Sequence, residues 1–214
     1  MKSLSLLLLF VGAFANADDT DTPLTLNGCV IAESSQCPGA DLRGARLANQ
    51  DLRKMNLSGA DLRNADLRHA RLDLANLERA NLQGANLTRA SLQQSNLRLA
   101  DFSGATLKAI QGWGLFAQGT QFQRADLTAA YLQFARLSGA KLTEANLQAA
   151  DLEMAWLSKA DLKGADLRDA NLQEAKLGES NLEDANLSGS RQHYGNYQDA
   201  NMRGCTGCPT SWDK

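Results

Sequence analysis

The chain repeats itself every five residues from Ala40 to Leu187. Stepping by five from Leu42 to Leu187 gives 30 positions, of which 26 are Leu and two are Phe. The residue two places earlier is Ala in 23 of these 30 units, and the residue between the two is usually Asp or Asn. One unit therefore consists of Ala, Asp or Asn, Leu, and two variable residues.

A five-residue period cannot be buried by a helix or by a straight strand. Five residues of α-helix advance the chain by roughly 140° beyond a full turn, so the leucines would scatter around the cylinder. In a continuous strand, residues an odd number apart point to opposite faces. A chain that bends once per unit keeps every Leu and every small residue inside. Stacked coils of such a chain would bury the pattern, as solenoids do.

The unit resembles the consensus of the pentapeptide-repeat proteins, Ala-(Asp/Asn)-Leu-x-x, over about 150 of the 214 residues. The resemblance implies an all-β fold, a right-handed quadrilateral β-helix with four units in each coil. Thirty units then make about seven to eight coils, in a rod roughly 36 Å long. Its narrow core of Leu and Ala would leave no room for a cofactor.

The first 17 residues have the features of a secretory signal peptide. Lys2 supplies a positive charge, an apolar run extends from Leu4 to Phe14, and Ala15-Asn16-Ala17 is a cleavage sequence of small residues. The apolar run is too short to span a bilayer. The mature chain is therefore expected to be exported, to the periplasm or the medium, without a membrane span.

Four segments are predicted along the chain. They are a signal peptide (1–17), an N-terminal leader or cap (18–37), a β-solenoid interrupted at 109–120 (38–190), and a C-terminal cap or tail (191–214).

Cysteines flank the repeat on both sides, Cys29 and Cys37 before it and Cys205 and Cys208 after it. Export permits disulfides, and the even count suits them. A disulfide needs Cα atoms within about 7 Å, whereas the two ends of such a rod lie several times farther apart. We therefore expect Cys29 to pair with Cys37 and Cys205 with Cys208, each closing a loop that caps a solenoid end. The Cys-x-x-Cys spacing also leaves thiol–disulfide redox activity as an alternative function.

The charges and polar residues do not indicate an enzyme, a metal site or a nucleic-acid partner. The net charge of the chain is −2, and the charge is unevenly distributed. Residues 38–107 contain ten Lys or Arg against seven Asp or Glu, whereas residues 121–190 contain seven against eleven. This uneven distribution of charge either has no role on a solvated surface or steers a partner or a second copy toward the rod. Asp and Asn recur at one position of the unit, which indicates turn hydrogen bonding instead of acid–base chemistry.

Some members of the family that this chain resembles imitate DNA and inhibit topoisomerases. Export and a near-neutral surface with a basic half argue against that role for this chain.

The repeat is broken between residues 109 and 120, where Gly112 and Ala117 replace Leu. The five-residue phase survives, since Leu107 and Phe122 are separated by a whole number of units. Either two degenerate units stay in the wall, or two units' length of chain leaves it as a loop. Phase alone does not separate these alternatives, because both preserve the register.

Large apolar residues at outward positions gather on one side of the predicted rod. With four units per coil, Phe134 stacks under Met154. If 109–120 is a loop, it folds over this patch and satisfies it internally. If it is wall, Leu74, Trp113 and Tyr194 join the same side. Exposed apolar patches with aromatic anchors are typical of contact sites. The candidate partner-binding residues are Trp113, Phe116, Tyr131, Phe134, Met154 and Trp156.

The sequence therefore predicts a non-enzymatic exported interaction or structural module that presents a rigid surface to a protein partner. Self-association, end to end or side by side, is an alternative use of that surface and of the capped ends.

Overall fold

A computed structural model describes residues 23–210, and its recurring element is a parallel bridge between equivalent positions four units apart. Gln36 bridges Asn56, and the same step continues without a gap to the pair Asn186 and Thr206. Four units therefore make one coil, and the ladder from Gln36 to Thr206 makes about eight and a half coils. The fold is the predicted right-handed quadrilateral β-helix. The predicted signal peptide lies outside the described residues.

Regular strands occur only at the N-terminal end of the described chain. Strand β1 (Thr25–Leu26) pairs antiparallel with β2 (Cys29–Val30), and the two form a hairpin before the first coil. The side chain of Asn27 in this hairpin donates to the carbonyl of Asp41 at 2.7 Å, which ties the hairpin to the coil. Residues 23–210 contain no helix long and apolar enough to cross a membrane.

Four flat faces run along the rod, and each is named here by its first centre residue: the Leu42, Leu47, Leu52 and Leu57 faces. Each face then continues with every twentieth residue. In each unit from Met55 to Leu187 the centre and the residue two places before it are buried, while the other three residues point outward. The five-residue period is thus the distance from one face to the next.

Every backbone N–H in a typical unit has a hydrogen-bond partner. In one unit the five bonds are Met55 N to Leu52 O (3.2 Å), Asn56 N to Ser35 O (2.9 Å), Leu57 N to Asn76 O (2.7 Å), Ser58 N to Asn56 Oδ1 (3.1 Å) and Gly59 N to Glu78 O (2.8 Å). Three of these bonds join coils and one closes the turn between units. The remaining N–H finds its acceptor in the Asx side chain, so the recurrent Asp or Asn satisfies a donor that no carbonyl reaches.

Residues 109–120 lie in the wall. Gln111 and Phe116 each bridge the coil before and the coil after, as their counterparts elsewhere do. The interruption predicted for this segment therefore changes the side chains, while the backbone stays in the wall. Of the two alternatives, the one with two degenerate units in the wall is correct.

The change of side chains at this point is a swap of volume within the core. Gly112 leaves a centre position empty, while Leu115, three positions later, is only 1% exposed. A Cβ on Gly112 would lie 2.5 Å from Cδ2 of Leu115 and 3.0 Å from Cδ2 of Leu132. Leu115 therefore occupies the space that a centre Leu at position 112 would need, and the core stays filled.

The solenoid also extends beyond the predicted boundary at residue 190. The ladder reaches Thr206, so the predicted cap or tail of 191–214 begins with another turn of wall. Tyr197 stands at a centre position and is 1% exposed. Its ring fits because Gly195 precedes it, where a Cβ would lie 2.8 Å from the ring carbon Cε2. The repeat pattern ends earlier than the wall because Gln192 and Tyr197 replace the centre Leu and Gly195 replaces Ala.

The swap at Gly112 predicts a compensating pair of substitutions. Gly112→Leu alone should destabilise the fold by about 1–3 kcal/mol through overpacking, and Leu115→Ala alone by about 2–5 kcal/mol through a cavity. The double variant restores the consensus arrangement, so it should be clearly more stable than the sum of the single changes predicts. Denaturant unfolding of the four proteins measures this coupling.

The matched control combines Gly112→Leu with Leu147→Ala, because Leu147 is equally buried but belongs to another face and coil. These two changes should simply add. Additive losses for Gly112→Leu with Leu115→Ala would contradict the volume swap.

Candidate functional site

Large exposed apolar side chains within the described coils are confined to two of the four faces. They lie on the Leu52 and Leu57 faces, and they are Leu74, Leu99, Trp113, Tyr131, Phe134, Trp156 and Tyr194. The Leu42 and Leu47 faces carry none of this kind between residues 36 and 206. Since exposed apolar area often marks contact sites, a contact site is expected on this side of the rod.

The densest cluster is the aromatic edge, defined as Trp113, Phe116, Phe134, Met154 and Trp156. It follows the corner where the Leu52 and Leu57 faces meet. The rings of Trp113 and Phe134 lie 5.9 Å apart, tilted by 60°. Trp113, Phe134 and Trp156 remain 40, 43 and 45% exposed, while Phe116 and Met154 are half-buried. Within residues 23–210 no loop covers this edge, because 109–120 is part of the wall beneath it.

Two shallow grooves open along the aromatic edge, and both include Phe134. The first has a volume of about 340 Å³ and is lined by Gln94, Trp113, Gly114, Phe116, Phe134 and Arg136. The second has a volume of about 280 Å³ and is lined by Phe134, Met154, Trp156, Glu174 and Lys176. Gly114 has no side chain at a corner position that Gln94 and Phe134 fill in the adjacent coils, so it forms the floor of a notch.

A larger groove of about 570 Å³ lies on the Leu42 face. Its lining is Gln83, Ser103, Gly104, Gln123, Arg124, Thr143 and Glu144. Arg124 and Glu144 already bind each other there, with an N–O distance of 2.8 Å. The groove therefore lacks an apolar anchor and an uncommitted charge.

The sequence prediction missed a column of alternating rings and cations on the Leu57 face. Phe116, Arg136, Trp156 and Lys176 follow one another, one in each successive coil. The Arg136 guanidinium carbon lies 4.9 Å from the Phe116 ring centre and 5.7 Å from that of Trp156. Lys176 Nζ lies 4.5 Å from the Trp156 ring, and Arg98 stands 5.3 Å from that of Phe116. The signal was present, since reading every twentieth residue gives this alternation.

The remaining sequence-predicted residues lie on the same side but apart from the grooves. Tyr131 is 39% exposed at the far margin of the Leu52 face and lines neither groove. Leu74 and Tyr194 share the corner column with Phe134 and are strongly exposed. Polar or small residues intervene in that column, so the patch does not extend to them.

Most of the other arginines in residues 23–210 form an ion pair, either within their own unit or with an adjacent coil. The chain contains five Asp-Leu-Arg tripeptides, and in each the guanidinium binds the carboxylate two places earlier at 2.5–2.7 Å. The hydrogen bonds from Arg43 lower the pKa of Asp41 to about 2. The partner Arg lowers the pKa of the other four carboxylates in the same way, namely Asp51, Asp61, Asp66 and Asp166.

The cations of the aromatic edge lack such partners. Within residues 23–210, Arg98, Arg136 and Lys176 have no carboxylate oxygen within 4.0 Å. For Arg136, the equivalent positions in both adjacent coils are the rings of Phe116 and Trp156, so neither coil supplies a carboxylate there. The edge therefore combines exposed apolar surface with uncompensated positive charge.

The cysteines form the two pairs expected from the sequence. Cys29 and Cys37 are bonded with a Cα–Cα distance of 5.5 Å, and Cys205 and Cys208 with one of 5.9 Å. Gly207 lies close against the last coil, where a Cβ would be 2.7 Å from the Ser188 nitrogen. Between residues 23 and 210 no group of three or more His, Cys, Asp or Glu side chains is placed to hold a metal ion.

The sequence pattern described as pentapeptide repeats matches this chain in eight copies, over residues 40–79, 75–109, 120–155 and 165–191. No curated protein sequence matches. Among solved structures, HetL, a pentapeptide repeat protein involved in heterocyst differentiation regulation from the cyanobacterium Nostoc sp. strain PCC 7120, is 31% identical, with a TM-score of 0.53, and the match covers 81% of this chain and 83% of that one.

Two further structures show weaker similarity. A pentapeptide repeat protein from the Arabidopsis thaliana thylakoid lumen is 32% identical, with a TM-score of 0.31, over 52% of this chain and 65% of that one. QnrB1, a plasmid-mediated fluoroquinolone resistance protein, is 19% identical, with a TM-score of 0.44, over 79% and 89%.

The Asp-Leu-Arg pairs predict acid sensitivity. Their carboxylates have lowered pKa values in the folded chain, against an ordinary 3.8. Between about pH 4 and pH 2 the unfolded chain therefore binds more protons, and stability falls as the pH falls. The thermal midpoint should be nearly constant from about pH 8 to pH 5 and should drop below about pH 4.

Replacing Arg63 and Arg68 with Gln should weaken this acid dependence, because the pKa values of Asp61 and Asp66 return toward the ordinary value. Arg89→Gln is the control, since Arg89 has no carboxylate partner among the described residues. Thermal melts across pH that are equally steep for both proteins would contradict the assignment.

Proposed function

This chain belongs to the pentapeptide repeat family, and from that premise we propose that it is a non-enzymatic exported interaction module whose aromatic edge binds a protein partner. The observation that carries the proposal is the clustering of Trp113, Phe134 and Trp156, all exposed, along one corner of an otherwise polar rod. Buried aromatic side chains contribute most of the binding energy in many protein interfaces. The edge supplies several of them on a backbone that needs no reordering to bind.

A binding role accounts for the polar residues as well. Most of the abundant Asp and Asn side chains accept the turn N–H of their own unit, as Asn56 does from Ser58 at 3.1 Å. Such residues are occupied by a structural task in coil after coil. The similar Nostoc protein is involved in heterocyst differentiation regulation.

Export is the second part of the proposal and rests on the N-terminal segment of the sequence. The charged start, the apolar run and the Ala-Asn-Ala site are those of a secretory signal. The two disulfides support it, because disulfides persist in oxidising compartments and are rare in the cytosol.

The partner surface is tested with Phe134→Ser combined with Trp156→Ser. The mature chain from Asp18 is immobilised and exposed to an extract of the compartment that receives exported proteins. The double variant should retain each specific partner at least about tenfold less than the wild type, because both rings sit at the centre of the contact. Both side chains are over 40% exposed, so thermal stability should change little.

Leu74→Ser combined with Tyr194→Ser is the matched control, since it removes two exposed apolar side chains from the same side outside the grooves. It should retain partners as the wild type does. Equal retention by the wild type and the Phe134→Ser, Trp156→Ser protein would overturn the proposed surface.

A further inference from the structure

We propose that the partner presents an acidic segment to the aromatic edge, an extended peptide with a bulky apolar side chain for the Gly114 notch and carboxylates for Arg136 and Lys176. This inference rests on the proposed function and specifies the chemistry of its partner.

The first support is the charge state of the edge cations. Arginines in Asp-Leu-Arg units lie within 2.7 Å of a carboxylate, whereas Arg136 lies between two rings and Lys176 over one, and neither forms an ion pair within 4.0 Å in the described chain. A cation over a ring keeps its full charge and most of its N–H donors free. These two residues therefore offer positive charge that the fold does not use.

The second support is their preorganised spacing. Arg136 and Lys176 are two coils apart in one column, or roughly 10 Å at the usual strand spacing. Trp156 stands between them and restrains both side chains. On a peptide in the extended polyproline II conformation, carboxylates three positions apart lie on the same side and about 9 Å apart, so one segment can reach both cations. Charge-assisted hydrogen bonds to such carboxylates are about twice as strong as neutral ones.

The third support is the apolar notch beside the cations. Its floor is Gly114, and its walls include the rings of Trp113, Phe116 and Phe134. Arg136 lines the same groove. A ligand that fills this site brings a compact apolar group and an anionic group within a few ångströms of each other, which an acidic peptide does.

The surroundings disfavour a continuous polyanion. Glu174 lines the second groove beside Lys176, and Glu153 lies on the same side of the rod, hydrogen-bonded to Gln133 at 3.2 Å. Nucleic acid presents a phosphate at every step and would meet these carboxylates. Base stacking needs open ring faces, whereas cations already stand over the Phe116 and Trp156 rings. A peptide with two or three carboxylates avoids both conflicts.

The test selects a displayed library of random peptides of about 12 residues on the immobilised mature chain. Enriched peptides should combine at least two Asp or Glu residues with one bulky apolar residue, and their binding should weaken as salt is raised. Arg136→Glu combined with Lys176→Glu should weaken them by about tenfold or more. Selection repeated on that variant should enrich basic peptides instead.

The matched control is Arg89→Glu combined with Lys141→Glu, which makes the same change in net charge on the Leu47 and Leu42 faces. It should leave the affinity of the acidic peptides within about twofold. An effect as large as that of the edge variant would overturn the inference, because it would show that net charge alone determines binding.

Further outcomes separate this inference from the function beneath it. Neutral or basic peptides that are lost in the Phe134→Ser, Trp156→Ser protein would overturn the acidic class and leave the aromatic edge as the binding surface. Peptides unaffected by that variant would overturn both. Tighter binding of an oligothymidylate or of polygalacturonate, lost when Arg136 and Lys176 are reversed, would show a polyanion as the ligand and would also overturn the inference.

Discussion

The hydrogen bonds between coils, repeated at a step of four units, are the constraint on which the rest of the structure depends. They pair each coil with the next through parallel bridges, so every outward position is aligned with the same position one coil away. The Asx side chains complete this set by accepting the N–H that no neighbouring carbonyl reaches. Side-chain columns on the surface follow directly from this geometry. The aromatic edge spans three adjacent columns, and a single substitution there changes its chemistry without moving the wall.

Much of the fold could be predicted because the repeat reports on the core. The spacing of the inward Leu and Ala residues fixes where the chain must bend, because neither a helix nor a straight strand can bury a five-residue period. The disulfide pairs were also predictable, since the rod keeps its ends apart. The segment 109–120 was not, because loss of the Leu pattern at Gly112 looks the same whether the chain leaves the wall or refills the core from Leu115. Only the contact between positions 112 and 115 separates these cases.

The candidate site was likewise predictable only in part. Its rings were predictable as outward apolar residues, and the four-unit coil placed most of them on one side. Its cations were not singled out, because Arg136 and Lys176 look like ordinary solvated residues within a polar surface. Their importance depends on what stands above and below them, which is a property of columns and not of neighbours in sequence. Regularity therefore explains the fold, while the exceptions to it mark where a partner can be recognised.

The proposed binding surface requires that 109–120 is wall and leaves the aromatic edge uncovered. Hydroxyl-radical footprinting of the free mature chain, read residue by residue by mass spectrometry, tests this directly. Trp113, Phe134 and Trp156 should be strongly labelled, whereas Ile110 and Leu115 should be protected in the core. Labelled Ile110 and Leu115 together with protected Phe134 and Trp156 would contradict this arrangement, because that pattern belongs to a loop folded over the edge.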